Sequence, residues 1–147
     1  MENSDLTARQ YFDFVMSNPE RKPFGFGKKL AIVNIDIQCA YTQPCRFVTA
    51  YETDPRQIEH VNAISALARA AGMPVIWTRV AYAEDGSDCG VWGMREDGPD
   101  ALQSIKPGSE RHAFDPRCEV DFARDTVFDK KMASVFHETP LPSLLTW

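Results

Sequence analysis

Asp36 closes a run that is otherwise apolar, LAIVNIDIQCAYT over 30–42. An ionised carboxylate is costly to bury without a partner, so Asp36 is expected at the mouth of a site where charge is useful. Lys130 stands at the end of a second such run, DTVFDK. If both runs are parallel strands of one sheet, the two residues lie at carboxyl ends, where open α/β sheets bind their ligands. A carboxylate beside an ammonium in a partly dry pocket can keep both charges and exchange a proton with an adjacent nucleophile. Spacing alone equally permits a structural ion pair at a sheet edge, or a solvated Lys130. Lys131 reads as a surface lysine whose loss is nearly silent.

Four cysteines, Cys39, Cys45, Cys89 and Cys118, are scattered without a C-x-x-C pair, which suits reduced thiols better than a disulfide framework or a zinc site. Cys39 is nearest to Asp36. Its expected place is a strand-to-loop exit, not a helix N-terminus that would lower its pKa, and it reads as a small hydrophobe. His60, His112 and His137 are too dispersed to form a ligand cluster: His60 fits an exposed helix face and the others loops. Tyr41 and Trp92 are candidates to line a small substrate pocket, with core or loop packing as the alternative. Arg79, at the end of a strand, is a candidate for binding a substrate carboxylate, against a surface ion pair.

These side chains need elements to hold them. The β-branched run at 30–36 and MPVIWTRV at 73–80 read as buried parallel strands, and DTVFDK at 125–130 as a third. Between the first two, Asp54 and Pro55 open a helix with apolar positions at Ile58, Val61, Ile64, Ala68 and Ala71, stopped at Gly72. Strand, helix, strand implies a right-handed βαβ crossover. SDLTARQYFDFVMSN predicts a helical extension over residues 1–23, capped by Ser4 or Asp5, with Leu6, Tyr11, Phe12, Phe14 and Val15 as its apolar surface. The stretch 81–118 is irregular, with a short helix near Pro99 to Ile105. Thr139 and Pro140 begin a last helix, LPSLLTW, which ends apolar and uncapped, as though the polypeptide were interrupted.

With 16 Lys and Arg against 21 Asp and Glu and no dense basic block, nucleic acid is not an expected partner. No apolar run approaches the ~20 residues that span a bilayer, and the start lacks a signal-peptide pattern, so a soluble cytoplasmic protein with no membrane partner is expected.

In order along the chain stand GFG before the first strand, D-x-x-x-A-Y-T at Asp36, Ala40, Tyr41 and Thr42, and G-V-W from Gly90 to Trp92. K-x-x-A-S-x-F follows at Lys130, Ala133, Ser134 and Phe136, then T-x-L at Thr139 and Leu141. From Phe24 onward the sequence thereby resembles the isochorismatase-like superfamily of cysteine hydrolases, and within it the N-carbamoylsarcosine amidohydrolases. The resemblance implies a Rossmann-like three-layer α/β fold with a parallel sheet, incomplete in this chain, with residues 24–147 as the N-terminal portion of the hydrolase domain. It implies an aspartate–lysine–cysteine triad in which Asp36 is the acid and Lys130, not Lys131, the lysine. The family's nucleophilic cysteine opens a helix after the next strand, in a T-S-G-C-V-R type stretch absent here. A C-terminal segment or second polypeptide is therefore expected to complete the domain, and this chain alone to be inactive. Relatives that bind zinc carry D-x-H and a later histidine where this chain has TRVAYAED, so no metal and no cofactor is implied. The implied activity is hydrolysis of a linear C–N bond in a small carbamoyl or amide substrate such as an N-carbamoyl amino acid, by a homo-oligomer. The alternatives are a vinyl-ether hydrolase of isochorismatase type, or a non-catalytic binding or assembly subunit.

Overall fold

The computed structural model describes residues 7–17, 27–52, 54–91 and 101–146. Its centre is a three-stranded parallel sheet in the order β1-β2-β3, formed by β1 (Ile32–Ile35), β2 (Val75–Val80) and β3 (Thr126–Lys130). Ile32 faces Val75 and Ile35 faces Thr78; on the other side of β2, Val80 faces Lys130. All three strands fall where the β-branched runs place them, trimmed by one or two residues at their starts, and β1 also stops at Ile35, one residue before Asp36.

β2 is the interior strand and is covered on both faces. Val75 and Trp77 point to one side and pack with Ile58 and Ala68 of α3 (Gln57–Ala70). Ile76 points to the other and packs with Val135 and with Leu141 of the one-turn α4 (Leu141–Leu144). Alternation along a strand thus separates an α3 face from an α4 face.

The buried stripe of α3 is Ile58, Val61, Ser65 and Ala68, spaced three, four and three. Ile64, expected in that stripe, lies one position off it and is 49% exposed. Ser65 takes the inner place because Asn34 of β1, buried beneath the helix, donates to its hydroxyl at 3.0 Å. The helix starts after Arg56, two residues later than expected, and ends before Gly72, whose φ of 70° is the left-handed turn that glycine allows. Below the same face Asp125 accepts from Arg69 Nε at 2.8 Å and from Trp77 Nε1 at 2.8 Å, joining helix, β2 and the entrance to β3.

The N-terminal helix α1 (Ala8–Met16) is capped by Thr7, with Gln10 completing a reciprocal capping box, in place of Ser4 or Asp5, which lie outside the described residues. Tyr11, Phe12 and Phe14 are exposed on it. The expected helix near Pro99 is a 3-10 turn at Leu102–Ser104. Thr139 accepts from the backbone N–H of Leu141 at 3.2 Å, while Pro140 occupies the N-cap position of α4. Among the described residues no helix is long and apolar enough to cross a membrane.

Candidate active site

Asp36 and Lys130 meet. Their strands lie on either side of β2, two strand spacings or roughly 9.5 Å apart. Lys130 reaches over β2 so that its Nζ sits 2.8 Å from Asp36 Oδ2. The lysine is 3% exposed, and its ammonium also donates to the carbonyls of Met132 at 3.1 Å and Ala133 at 3.3 Å. Thr78, on β2 between them, donates to Asp36 Oδ1 at 3.3 Å.

Strand alternation would send the Asp36 side chain to the α3 face, with Asn34. Instead Asp36 has φ 58°, a left-handed conformation uncommon outside glycine but open to Asp and Asn. The backbone reverses its twist there, and the carboxylate comes to the α4 face with Thr78 and Lys130. Non-glycine residues held in this region are found where surrounding contacts fix them, often at functional sites.

Burial pushes the Asp36 carboxyl above its ordinary range, while the hydrogen bond and charge of Lys130 and the Thr78 hydroxyl pull it back down. The net direction is upward, so this carboxyl takes up a proton more readily than an exposed aspartate. Tyr41 lies on the single turn α2 (Cys39–Thr42) and packs on a cluster of Ala40, Val80, Tyr82, Cys89 and Ile105. Burial first, and then the nearby charge of Asp36, raises its phenol well above the usual range. The Tyr41 phenol thus lies within reach of the Asp36 charge. Trp92 lies outside the described residues.

Arg79 is not brought to this site. It follows Thr78 on β2 and therefore faces the α3 side, where its Nε donates to Asp129 at 3.0 Å and its guanidinium lies 4.9 Å over the Phe114 ring. His112 joins the same carboxylate at 3.0 Å and accepts from the backbone N–H of Gly108, a buried fastening in a segment read only as loop. His60 is exposed on α3, as expected, 3.5 Å from Asp54.

Lys131 departs from the expectation of a silent surface lysine. Its Nζ donates to the Ala81 carbonyl at 2.6 Å and meets Asp88 Oδ2 at 2.6 Å, and its own carbonyl accepts the Tyr82 hydroxyl at 3.0 Å. It ties the loop leaving β2 to the end of β3. Sequence position alone did not mark Thr78 for the site; a threonine inside the apolar run MPVIWTRV was the available signal.

No described contact brings a thiol to the pair. Cys39 is the first residue of α2, a helix start where a plain exit was expected, yet burial and the charges of Asp115 and Glu110 raise its pKa, and Sγ donates to the Phe114 carbonyl at 3.5 Å. Burial raises the Cys89 thiol as well, and pushes Cys118 up to about 12 with help from Asp115. Cys45 is exposed in a turn. Among the described residues no group of three or more His, Cys, Asp or Glu is placed to hold a metal ion.

A parallel sheet covered on both faces, with a carboxylate and an ammonium meeting above its carboxyl edge, is an α/β fold of Rossmann-like type. Residues 30–146 match the Isochorismatase domain, and the chain belongs to that family. Among curated proteins it is 32% identical over 124 residues to the maleamate amidohydrolase of Pseudomonas putida, a match covering 82% of this chain and 55% of the relative. The chain thus spans about half the length of that protein. A cysteine hydrolase from Pseudomonas syringae pv. phaseolicola superimposes with a TM-score of 0.71 at 24% identity, covering 85% of this chain and 59% of the other. The N-carbamoylsarcosine amidase of Thermoplasma acidophilum gives 0.56 at 21%, covering 80% and 61%. At these identities the structural matches speak for the fold.

Proposed function

We propose that this chain carries the acid–base part of an amidohydrolase that cleaves a linear C–N bond in a small carbamoyl or amide substrate, with an N-carbamoyl amino acid such as N-carbamoylsarcosine as the substrate to test first. The observation that carries the reading is the 2.8 Å contact between Asp36 and a Lys130 that is almost wholly buried. The amidohydrolase and amidase names of two relatives support the reaction class.

In this mechanism a cysteine thiol attacks the substrate carbonyl as its proton passes to Asp36. Asp36 then gives that proton to the departing ammonia, and water cleaves the S-acyl intermediate, a thioester from an amide or a thiocarbamate from a carbamoyl group, returning a proton to the thiol. Lys130 keeps the site charged and ordered through both transfers. Tyr41 lines the substrate pocket. The thiol comes from polypeptide outside these residues, in the same chain or a partner.

Topology supports a place for it. The chain passes from β1 to β2 across the α3 face, whereas α4 begins a connection on the opposite face. A right-handed crossover on that face runs back past β2, so the next parallel strand adds to the free edge of β1, beside Asp36. The ligand crevice of a doubly wound sheet forms where the strand order reverses in this way. Ile35, on that edge, is 46% exposed.

The test is ammonia release by the complete protein from an N-carbamoyl amino acid. Asp36→Asn keeps the shape and the left-handed conformation and leaves an oxygen for Lys130 to donate to, but cannot accept the proton, and turnover should fall at least ~100-fold in protein that a thermal melt shows to be folded. An active Asp36→Asn overturns the mechanism. The raised Asp36 carboxyl also suits acid-catalysed vinyl-ether hydrolysis without a thiol, so isochorismate is assayed alongside, read by pyruvate release.

A further inference from the structure

We infer that Gln38 is the positioning residue that holds the exits of β1 and β2 at the spacing the Asp36–Lys130 contact requires; the inference rests on the acid–base role proposed above for that pair.

Gln38 is fully buried, two residues after Asp36. Its Oε1 accepts the backbone N–H of Val80 at 2.6 Å, and its Nε2 donates to the Val80 carbonyl at 3.1 Å and to the Arg111 carbonyl at 3.0 Å. Val80 is the residue of β2 directly opposite Lys130. In the β1–β2 register, Ile35 faces Thr78, so an unbroken β1 would bring the backbone of residue 37 to Val80. The turn at Asp36 carries that backbone away. The Gln38 side chain, with one acceptor and one amide donor, fills the vacancy and pairs with Val80 as a neighbouring strand would.

The same residue begins α2. Its carbonyl accepts from the N–H groups of Tyr41 at 2.9 Å and Thr42 at 3.2 Å, and a bridge to Phe114 joins it to the segment 111–114. One glutamine therefore connects the strand exit bearing Asp36, the residue facing Lys130, and the turn that presents Tyr41. None of its described hydrogen bonds goes to Asp36 or Lys130 directly, so its action is on their spacing. A displacement near 1 Å at reacting groups can cost up to ~100-fold in rate.

The test compares Gln38→Glu and Gln38→Met in the complete enzyme. The Glu variant keeps the acceptor for Val80 N–H but, when ionised, turns a charge toward two carbonyls. Its kcat should fall ~10- to 100-fold near neutral pH with KM little changed, and should recover toward the native value as acid protonates the new carboxyl and restores a donor. The Met variant, lacking all three bonds, should stay slow at every pH. The carboxyl carbon resonance of Asp36, followed by NMR in the Met variant, should titrate at higher pH than in the native protein, because the lowering influence of Lys130 is relaxed. That readout needs no turnover and serves also if Gln38→Glu is poorly folded. A Glu variant with the native pH profile and kcat, together with an unmoved Asp36 titration in the Met variant, overturns the inference. Asp36→Asn run alongside separates the two ideas. If it is active, the amidohydrolase mechanism fails, while the Asp36 titration still decides the role of Gln38.

Discussion

Replacing Lys130 by methionine keeps the length of the side chain and removes the ammonium. Three contacts go with it: Asp36 Oδ2 at 2.8 Å and the carbonyls of Met132 and Ala133 at 3.1 and 3.3 Å. Removing one partner of a buried ion pair costs about 3–5 kcal/mol, and the Asp36 side chain, 20% exposed, places this site at the lower end, near 3 kcal/mol. The deficit should depend on pH, because Asp36 can discharge by taking up a proton. Its folded pKa already lies above the unfolded value, and without Lys130 burial acts with only Thr78 opposing it, so the gap widens. A carboxyl with a raised folded pKa contributes stability that is fully present below its unfolded pKa and is lost as pH rises through the folded pKa. Urea denaturation at about pH 4 should therefore show a small penalty for Lys130→Met, and at about pH 8 the full one. Adding Asp36→Asn removes the stranded charge, and the double variant should regain about 2 kcal/mol of the loss at the higher pH. A single variant that loses under ~1 kcal/mol at both pH values, or a double variant no better than the single, would show that the pair is not a coupled unit.

Lys131→Ala should lower stability by roughly 1–2 kcal/mol, since it removes hydrogen bonds to Ala81 and Asp88 that join two loops; an unchanged thermal melt would return Lys131 to the status of a surface charge. Iodoacetamide should modify Cys45 in the folded protein and reach the buried Cys39 and Cys89 only on unfolding, which peptide mass mapping reads directly; rapid native labelling of Cys39 would contradict its burial.

Strand positions were readable in the sequence because a buried parallel strand needs apolar residues on both faces, and 30–36 and 73–80 show little else. Asp36 and Lys130 stood out as charges ending such runs. Their meeting was less accessible, since strict alternation would put Asp36 with Arg79, and the left-handed φ that sends it to the other face leaves no mark in residue type. Arg79 drew notice by its place at the end of a strand, and its guanidinium pairs with Asp129 on the α3 side. Ile64 and Ser65 show the limit of hydrophobicity as a guide to helix phase: a buried Asn34 needed a hydroxyl, and that fixed which side of α3 turned inward. Lys130 and Lys131 are adjacent and alike, but one ends a strand register and the other starts a loop, and only the fold reveals that both are anchored.

The conformation of Asp36 has a genetic consequence. Side chains that tolerate its backbone well are glycine, asparagine and aspartate, and either of the first two is a single base change from an aspartate codon. Both preserve the exit of β1 and abolish the carboxylate. A duplicated gene can therefore lose the carboxylate in one step while the exit of β1 keeps its backbone, and with asparagine an amide oxygen remains for Lys130 to donate to. Loss of Lys130, whose ammonium is bonded to Asp36 and to the carbonyls of Met132 and Ala133, carries a folding penalty of its own.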